Sequence, residues 1–137
     1  MPDSNILDFD DLLRAARQQP DPQRLLFVFA GAELPDDSSA AQRAQFAAGH
    51  GGALVPLMCV DKAPDELTTF AALEEESRAA GPVWSIVFVA ALAGSGGRAV
   101  TPGDTDAALQ RMVAAIQAGA HQSYIPFNRA GRPILLE

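Results

Sequence analysis

The sequence predicts an α/β fold, with helices packed on a mixed, largely parallel sheet of four or five strands. Three apolar runs lead to that reading: residues 24–30 (RLLFVFA), 53–60 (ALVPLMCV) and 83–92 (VWSIVFVAAL). None alternates polar with apolar, so each reads as a strand covered on both faces, the habit of sheets built from strand–helix–strand units. Segments with helical periodicity stand between the runs, each bounded by caps and breakers.

The elements follow in order. Asp8 is placed to cap a helix from residue 9 to about residue 19, with Phe9, Leu12, Leu13 and Ala16 on one face, and Pro20 and Pro22 stop it. After the first strand, a polar loop over 31–38 leads to a weaker helix near 39–48, where Ser39 and Gln42 have capping-box spacing. Gly49-His50-Gly51-Gly52 ends that helix, and the second strand follows. Pro64 and Thr69 bracket the start of a third helix that carries Phe70, Leu73 and Ser77 on one face and ends at Gly81. The third strand gives way to a glycine-rich loop over 93–103, expected to be exposed and mobile. A fourth helix, about 104–118, turns Leu109, Met112, Val113 and Ile116 inward. The tail, 123–137, reads as a hairpin around Asn128–Gly131, and Pro126 and Pro133 place it at the edge of the sheet.

A repeat is visible at a shift of 61 residues, the interval from Phe9 to Phe70. Leu12 and Arg17 then meet Leu73 and Arg78, while Phe27, Val28 and Ala30 meet Phe88, Val89 and Ala91. The expectation is one domain over 1–137 made of two α-β-α-β halves, roughly 8–62 and 69–129.

Seventeen acidic against ten basic residues give a net charge of −7. That charge repels phosphate backbones and anionic lipid, so neither nucleic acid nor a membrane surface is an expected partner. The first eleven residues have neither a basic start nor an apolar core, so they do not read as a signal peptide. The single cysteine, Cys59, allows no internal disulfide, and the chain reads as cytoplasmic. Cys59 lies inside a strand and is expected to be a buried small apolar residue. With His50 and His121 it shows no ligand spacing, so no metal and no cofactor are expected.

In an open parallel sheet, ligands gather at the carboxyl ends of the strands. Here those ends hold Glu33, then Asp61 and Lys62, then Ser95 and Arg98, a rim able to hold a small anionic or zwitterionic ligand. Gly94-Ser95-Gly96-Gly97-Arg98 lacks the Lys-Ser/Thr of a P-loop, and no G-x-S-x-G elbow is present.

The strings FDDLLRAARQQPDPQRLLFVFAGAELP, GGALVPLMCVDKAPDEL and VFVAALAGSGGRA resemble a family of small bacterial proteins over nearly the whole chain. Members frequently carry the label "ribonucleotide reductase subunit alpha". Ribonucleotide reduction needs a thiyl-radical cysteine and, in the well-known classes, a redox cysteine pair. Cys59 alone cannot supply these, and the chain is too short for the ten-stranded barrel of such catalytic subunits. The residues therefore exclude that activity.

The leading expectation is a non-catalytic binding or protein-interaction protein, acting as a homodimer or with another protein, with the C-terminal hairpin as the pairing edge. The alternative is a small enzyme or metabolite-binding protein using the charged rim, with Glu33 or Asp61 as base and Lys62 and Arg98 fixing an anion.

Overall fold

Asp8 has the extended backbone of an N-cap, and its carboxylate accepts from the Asp11 N–H at 3.0 Å, satisfying one of the donors that a helix start leaves open. The helix it starts, α1 (Phe9–Arg17), buries Phe9 and Leu13. The computed structural model describes residues 8–33, 39–47, 53–81, 83–120 and 123–134. Its further elements are β1 (Gln23–Glu33), α2 (Ala40–Ala47), β2 (Ala53–Lys62), a 3-10 turn (Pro64–Glu66), α3 (Phe70–Ala80), β3 (Ile86–Ala93), α4 (Pro102–Gln117) and β4 (Ile125–Phe127). Both bonds of the Ser39/Gln42 capping box form at the start of α2, at 2.8 and 3.1 Å. No described helix is long and apolar enough to cross a membrane.

The sheet has four strands in the order β2-β1-β3-β4, and every neighbouring pair is antiparallel. This overturns the expected largely parallel sheet. The inference that the apolar runs are covered on both faces holds for the two central strands. On β1, Leu25, Phe27 and Phe29 enter one core, while Leu26, Val28 and Ala30 enter the other. On β3, Val87 and Val89 enter the first and Phe88 the second. Double burial removes alternation from a strand of either direction, so the pattern carried no information about direction. Direction depends on where each connection returns the chain. The segment containing α2 returns beside β1, so it joins two antiparallel neighbours and does not cross over. β2 and β3 run the same way with β1 between them, and β1 and β4 do so with β3 between them, so no two parallel strands are neighbours.

The two cores differ in chemistry. Under α1 and α3 lies an aromatic cluster in which Phe9 meets Phe27, Phe70 and Phe127 at centroid distances of 5.8, 5.4 and 5.6 Å. Trp84 joins it against Phe29 at 5.0 Å, and its indole N–H donates to the buried Ser77 hydroxyl at 2.7 Å. The Ser77 hydroxyl in turn donates to the Glu74 carbonyl at 2.6 Å, so this buried polar pair is satisfied. The opposite core is mainly aliphatic: Ala108, Leu109, Met112 and Ile116 of α4 pack on Leu26, Val28 and Phe88.

The element order repeats as α-β-α-β, and the strand order reads the same from either side of the β1/β3 pairing. The gapless residue match does not follow that symmetry. A twofold axis normal to the sheet keeps each side chain on its own face, yet Phe27 and Phe88 lie in opposite cores. The true cross-strand partners are Phe27 with Val89 and Val28 with Phe88. An odd shift inverts every side chain of a strand, so the match within the strands is apolar likeness. Phe9 and Phe70 do share one core.

At the C-terminal end, β4 pairs with β3 through Ile125, Pro126 and Phe127. A tight turn then brings Pro133 opposite Phe127, with the Asn128 N–H on the Arg132 carbonyl at 2.9 Å and the Ile134 N–H on the Pro126 carbonyl at 3.0 Å. Gly131 in that turn has φ +79°, and a Cβ there would sit 2.9 Å from the Phe70 ring. Glycine is required on both counts.

Candidate functional site

The antiparallel sheet divides the five residues expected on one rim. Glu33 closes β1 opposite Ala53, and its side chain lies outside the described residues. Asp61 and Lys62 close β2 opposite Leu26 and Leu25, at the other end of β1. Ser95 and Arg98 follow β3, whose last residue, Ala93, pairs with Gln23 at that same end. Four of the five therefore share an end of the sheet, but β1 runs between the two pairs.

Adjacent strand positions face opposite ways, and this separates Asp61 from Lys62. The Asp61 carboxylate is held by Arg24 at 2.6 and 2.7 Å, and Glu66 approaches the same guanidinium at 3.3 Å. Lys62 turns to the α3 side and pairs with Glu76 at 2.7 Å. Arg98 forms an ion pair with no described residue, so it does not pair with Asp61.

Ser95 and Arg98 instead line a pocket of about 370 Å³ between the end of β3 and the first turns of α4, together with Leu92, Thr101, Asp104 and Arg111. The glycine loop beside it is a hydrogen-bonded turn. Ser95 and Arg98 exchange backbone bonds at 3.1 and 2.9 Å across Gly96 and Gly97, whose φ values of 57° and 78° are those of a type I′ hairpin turn. The Gly94 N–H donates to the Pro22 carbonyl at 2.8 Å, and the Gly97 N–H to the Asp21 carboxylate at 3.3 Å. A Cβ on Gly94 would meet the Arg98 carbonyl oxygen at 1.9 Å, so the turn closes only on glycine. Thr101 caps α4 by accepting from the Asp104 N–H at 3.1 Å. The pocket thus offers two guanidiniums, two hydroxyls and one carboxylate, groups that bind and orient. None of its lining residues is a histidine, cysteine or lysine.

A second feature is the outer edge of β2, which pairs with no described strand. Its first eight residues are Ala, Leu, Val, Pro, Leu, Met, Cys and Val, and the only charges are Asp61 and Lys62 at its end. A bulge places Met58 opposite Phe29 and Pro56 opposite Ala30, leaving Leu57 unmatched. The extra residue puts Leu57 and Met58 on the same face. A Cβ on Gly31 would lie 3.2 Å from Leu57 Cδ1 and 3.8 Å from the Val83 carbonyl oxygen, so these two residues flank one spot. Leu57 is 39% and Val83 82% exposed. Beside them is a small cleft of about 80 Å³, lined by Phe29, Met58, Val60, Leu73 and Ala80 among others. Cys59, expected to be buried, is exposed because its strand is at the edge.

Arg24, Glu66 and Arg111 were not among the expected site residues. Arg24 and Asp61 are 37 residues apart in the chain, and only pairing register joins them. Arg111 had a local signal: Asp104, Ala107 and Arg111 stand at helical spacing beside the buried stripe of Thr105, Ala108 and Met112. His50 and His121 lie outside the described residues, and no group of potential metal ligands occurs among the described ones. Comparison of the chain with protein-family models, with curated proteins and with solved structures finds no match in any of the three.

Proposed function

We propose that this is a non-catalytic interaction protein that joins a second copy of itself through the outer edge of β2. The observation that carries this reading is the eight-residue uncharged apolar run on a ten-residue edge strand that no described strand covers, with Leu57 exposed at its middle. An exposed edge strand presents unpaired N–H and C=O groups, and proteins ordinarily blunt it with charge, proline or brevity. On β2 the blunting is limited to Pro56, the bulge at Leu57 and the terminal Asp61 and Lys62.

A second copy fits the edge better than an unrelated strand because the edge is self-complementary. Leu57 and Met58 stand at the midpoint of β2. A twofold axis through that midpoint sets Leu57 of one copy against Met58 of the other, apolar on apolar, and extends the two sheets into one. The same antiparallel register brings the Lys62 end of one copy to the end where Glu33 closes β1 of the other. It also keeps the two Asp61 residues at opposite ends, whereas a parallel pairing would bring them together.

Sedimentation equilibrium over micromolar to millimolar protein tests the reading, with Cys59 available for a register measurement. Spin labels on Cys59 should lie roughly 10–15 Å apart between copies, three strand positions plus one inter-strand spacing. A strict monomer at about 1 mM, an affinity of about −4 kcal/mol at best, sinks the proposal.

A further inference from the structure

We infer that the pocket between β3 and α4 binds a small zwitterion, an anionic head held by Arg98 and Arg111 with an amine facing Asp104, of the class of phosphorylated amino acids or amino alcohols. The inference stands independently of self-association, because the pocket lies beyond β3 and the open edge is β2.

The chain has ten cations, in a protein of net charge −7, so most are expected to be absorbed by carboxylates. Arg14, Arg24, Lys62, Arg78 and Arg129 form ion pairs, and Arg17 donates to the Leu67 and Pro64 carbonyls. Arg98, Arg111 and Arg132 have no such side-chain partner among the described residues, and two of these three line the same pocket. Asp104 also lines it and forms an ion pair with neither arginine. The lining charges therefore do not neutralise one another, and a ligand between them meets cations on one part and a carboxylate on another. A plain dianion would be attracted by the guanidiniums and repelled by Asp104, whereas a molecule with an added amine satisfies all three groups.

Three further features support a ligand of this size and kind. The volume of about 370 Å³ falls within the range of small-molecule sites. Ser95 and Thr101 contribute hydroxyls at the wall. Arg98 is carried on the type I′ turn that Gly94, Gly96 and Gly97 permit, so its backbone is positioned before a ligand arrives. The Thr101 hydroxyl already takes the Asp104 N–H at the start of α4.

Calorimetry on the full chain at low ionic strength tests this with three probes: O-phosphoserine, inorganic phosphate and ethanolamine. The expected result is saturable binding of O-phosphoserine, with phosphate weaker by roughly tenfold and ethanolamine weaker still. Arg98→Ala and Arg111→Ala should each weaken O-phosphoserine by about tenfold or more while leaving the ligand-free melting curve in place. Asp104→Asn should retain phosphate binding and abolish the preference for O-phosphoserine over phosphate, an effect that general loss of structure would not produce. Absence of saturable O-phosphoserine binding up to about 10 mM overturns the inference, as does equal binding by the Arg98→Ala/Arg111→Ala double variant. Phosphate binding as tightly as O-phosphoserine overturns the assignment of a zwitterion.

Discussion

The two edges of the sheet are finished in opposite ways. β4 is three residues long, contains Pro126, and is met on its outer side by the returning chain, where Pro133 bridges to Phe127. The turn that makes this return is tightly bonded: the Asn128 carboxamide oxygen accepts from the Ala130 and Arg132 N–H groups at 2.9 and 3.1 Å. The Gly131 carbonyl accepts from the Phe9 N–H at 2.8 Å, which ties the edge to the first helix. β2 is ten residues long and has no comparable cover among the described residues. One sheet thus has an edge closed by its own chain and an edge that no described residue covers; each carries one exposed large apolar side chain, Ile125 on β4 and Leu57 on β2, and the long apolar run lies on β2. Surface apolar groups occur singly on most proteins, but a row of them on an unpaired strand marks an interaction site or an aggregation hazard.

The contrast can be broken most sharply at Leu57. Leu57→Lys places a cation beside its symmetry mate at the centre of the proposed pairing, and should cost the dimer about 3 kcal/mol or more, a shift of over a hundredfold in the dissociation constant. Sedimentation reads the shift, and because Leu57 is already partly exposed, urea unfolding of the monomer should move by less than about 1 kcal/mol. If Leu57→Lys leaves association intact, the open edge is not the interface.

At the closed edge, Gly131→Ala should destabilise the fold by about 1–3 kcal/mol, since it combines a left-handed backbone with a Cβ 2.9 Å from Phe70. Chemical denaturation measures this, and a neutral result would mean that the turn does not close against α3. Truncating the exposed Val83, just before β3, as Val83→Ser should leave monomer stability within about 0.5 kcal/mol and weaken association by less than Leu57→Lys does. An effect on association larger than that of Leu57→Lys would move the centre of the interface from the middle of β2 to the start of β3. The smallest effect is expected at Arg24→Ala. Its pair with Asp61 is about one third exposed on both sides, so screening limits the loss to about 1 kcal/mol or less, reduced further by salt. A salt-independent loss well above that value would make the pair a structural part of the β1/β2 seam.

Much of the local structure was legible in the chain. Asp8, Thr69 and the Ser39/Gln42 pair are caps because a hydroxyl, carboxylate or carboxamide near a helix start finds free N–H donors within reach, whatever lies further away. The candidate site was legible only in part. Ser95 and Arg98 are neighbours through a four-residue turn, so sequence placed them together. Their pocket partners Asp104 and Arg111 arrive through the packing of α4, while Asp61 and Lys62 are taken by Arg24 and Glu76, residues chosen by register. The glycine loop is exposed as expected, and it forms a turn that the sequence reading did not name. Four glycines suggested mobility, but positive φ at Gly96 and Gly97 is what a two-residue hairpin turn requires, and the turn is held to Pro22 and Asp21.

Sequence by itself determined that the runs around Phe27 and Phe88 are doubly covered, where the first three helices begin, and that the C-terminal segment turns at Asn128–Gly131. These follow from interactions spanning a few residues, and from the rule that a strand apolar on both sides needs cover on both sides. Tertiary structure alone decided that the sheet is antiparallel, that β2 is the open edge, and that Arg98 and Arg111 share a pocket while Arg24 takes Asp61. Strand direction and charge pairing depend on where each connection lands, and a buried side chain has the same free energy of transfer beside a parallel neighbour as beside an antiparallel one.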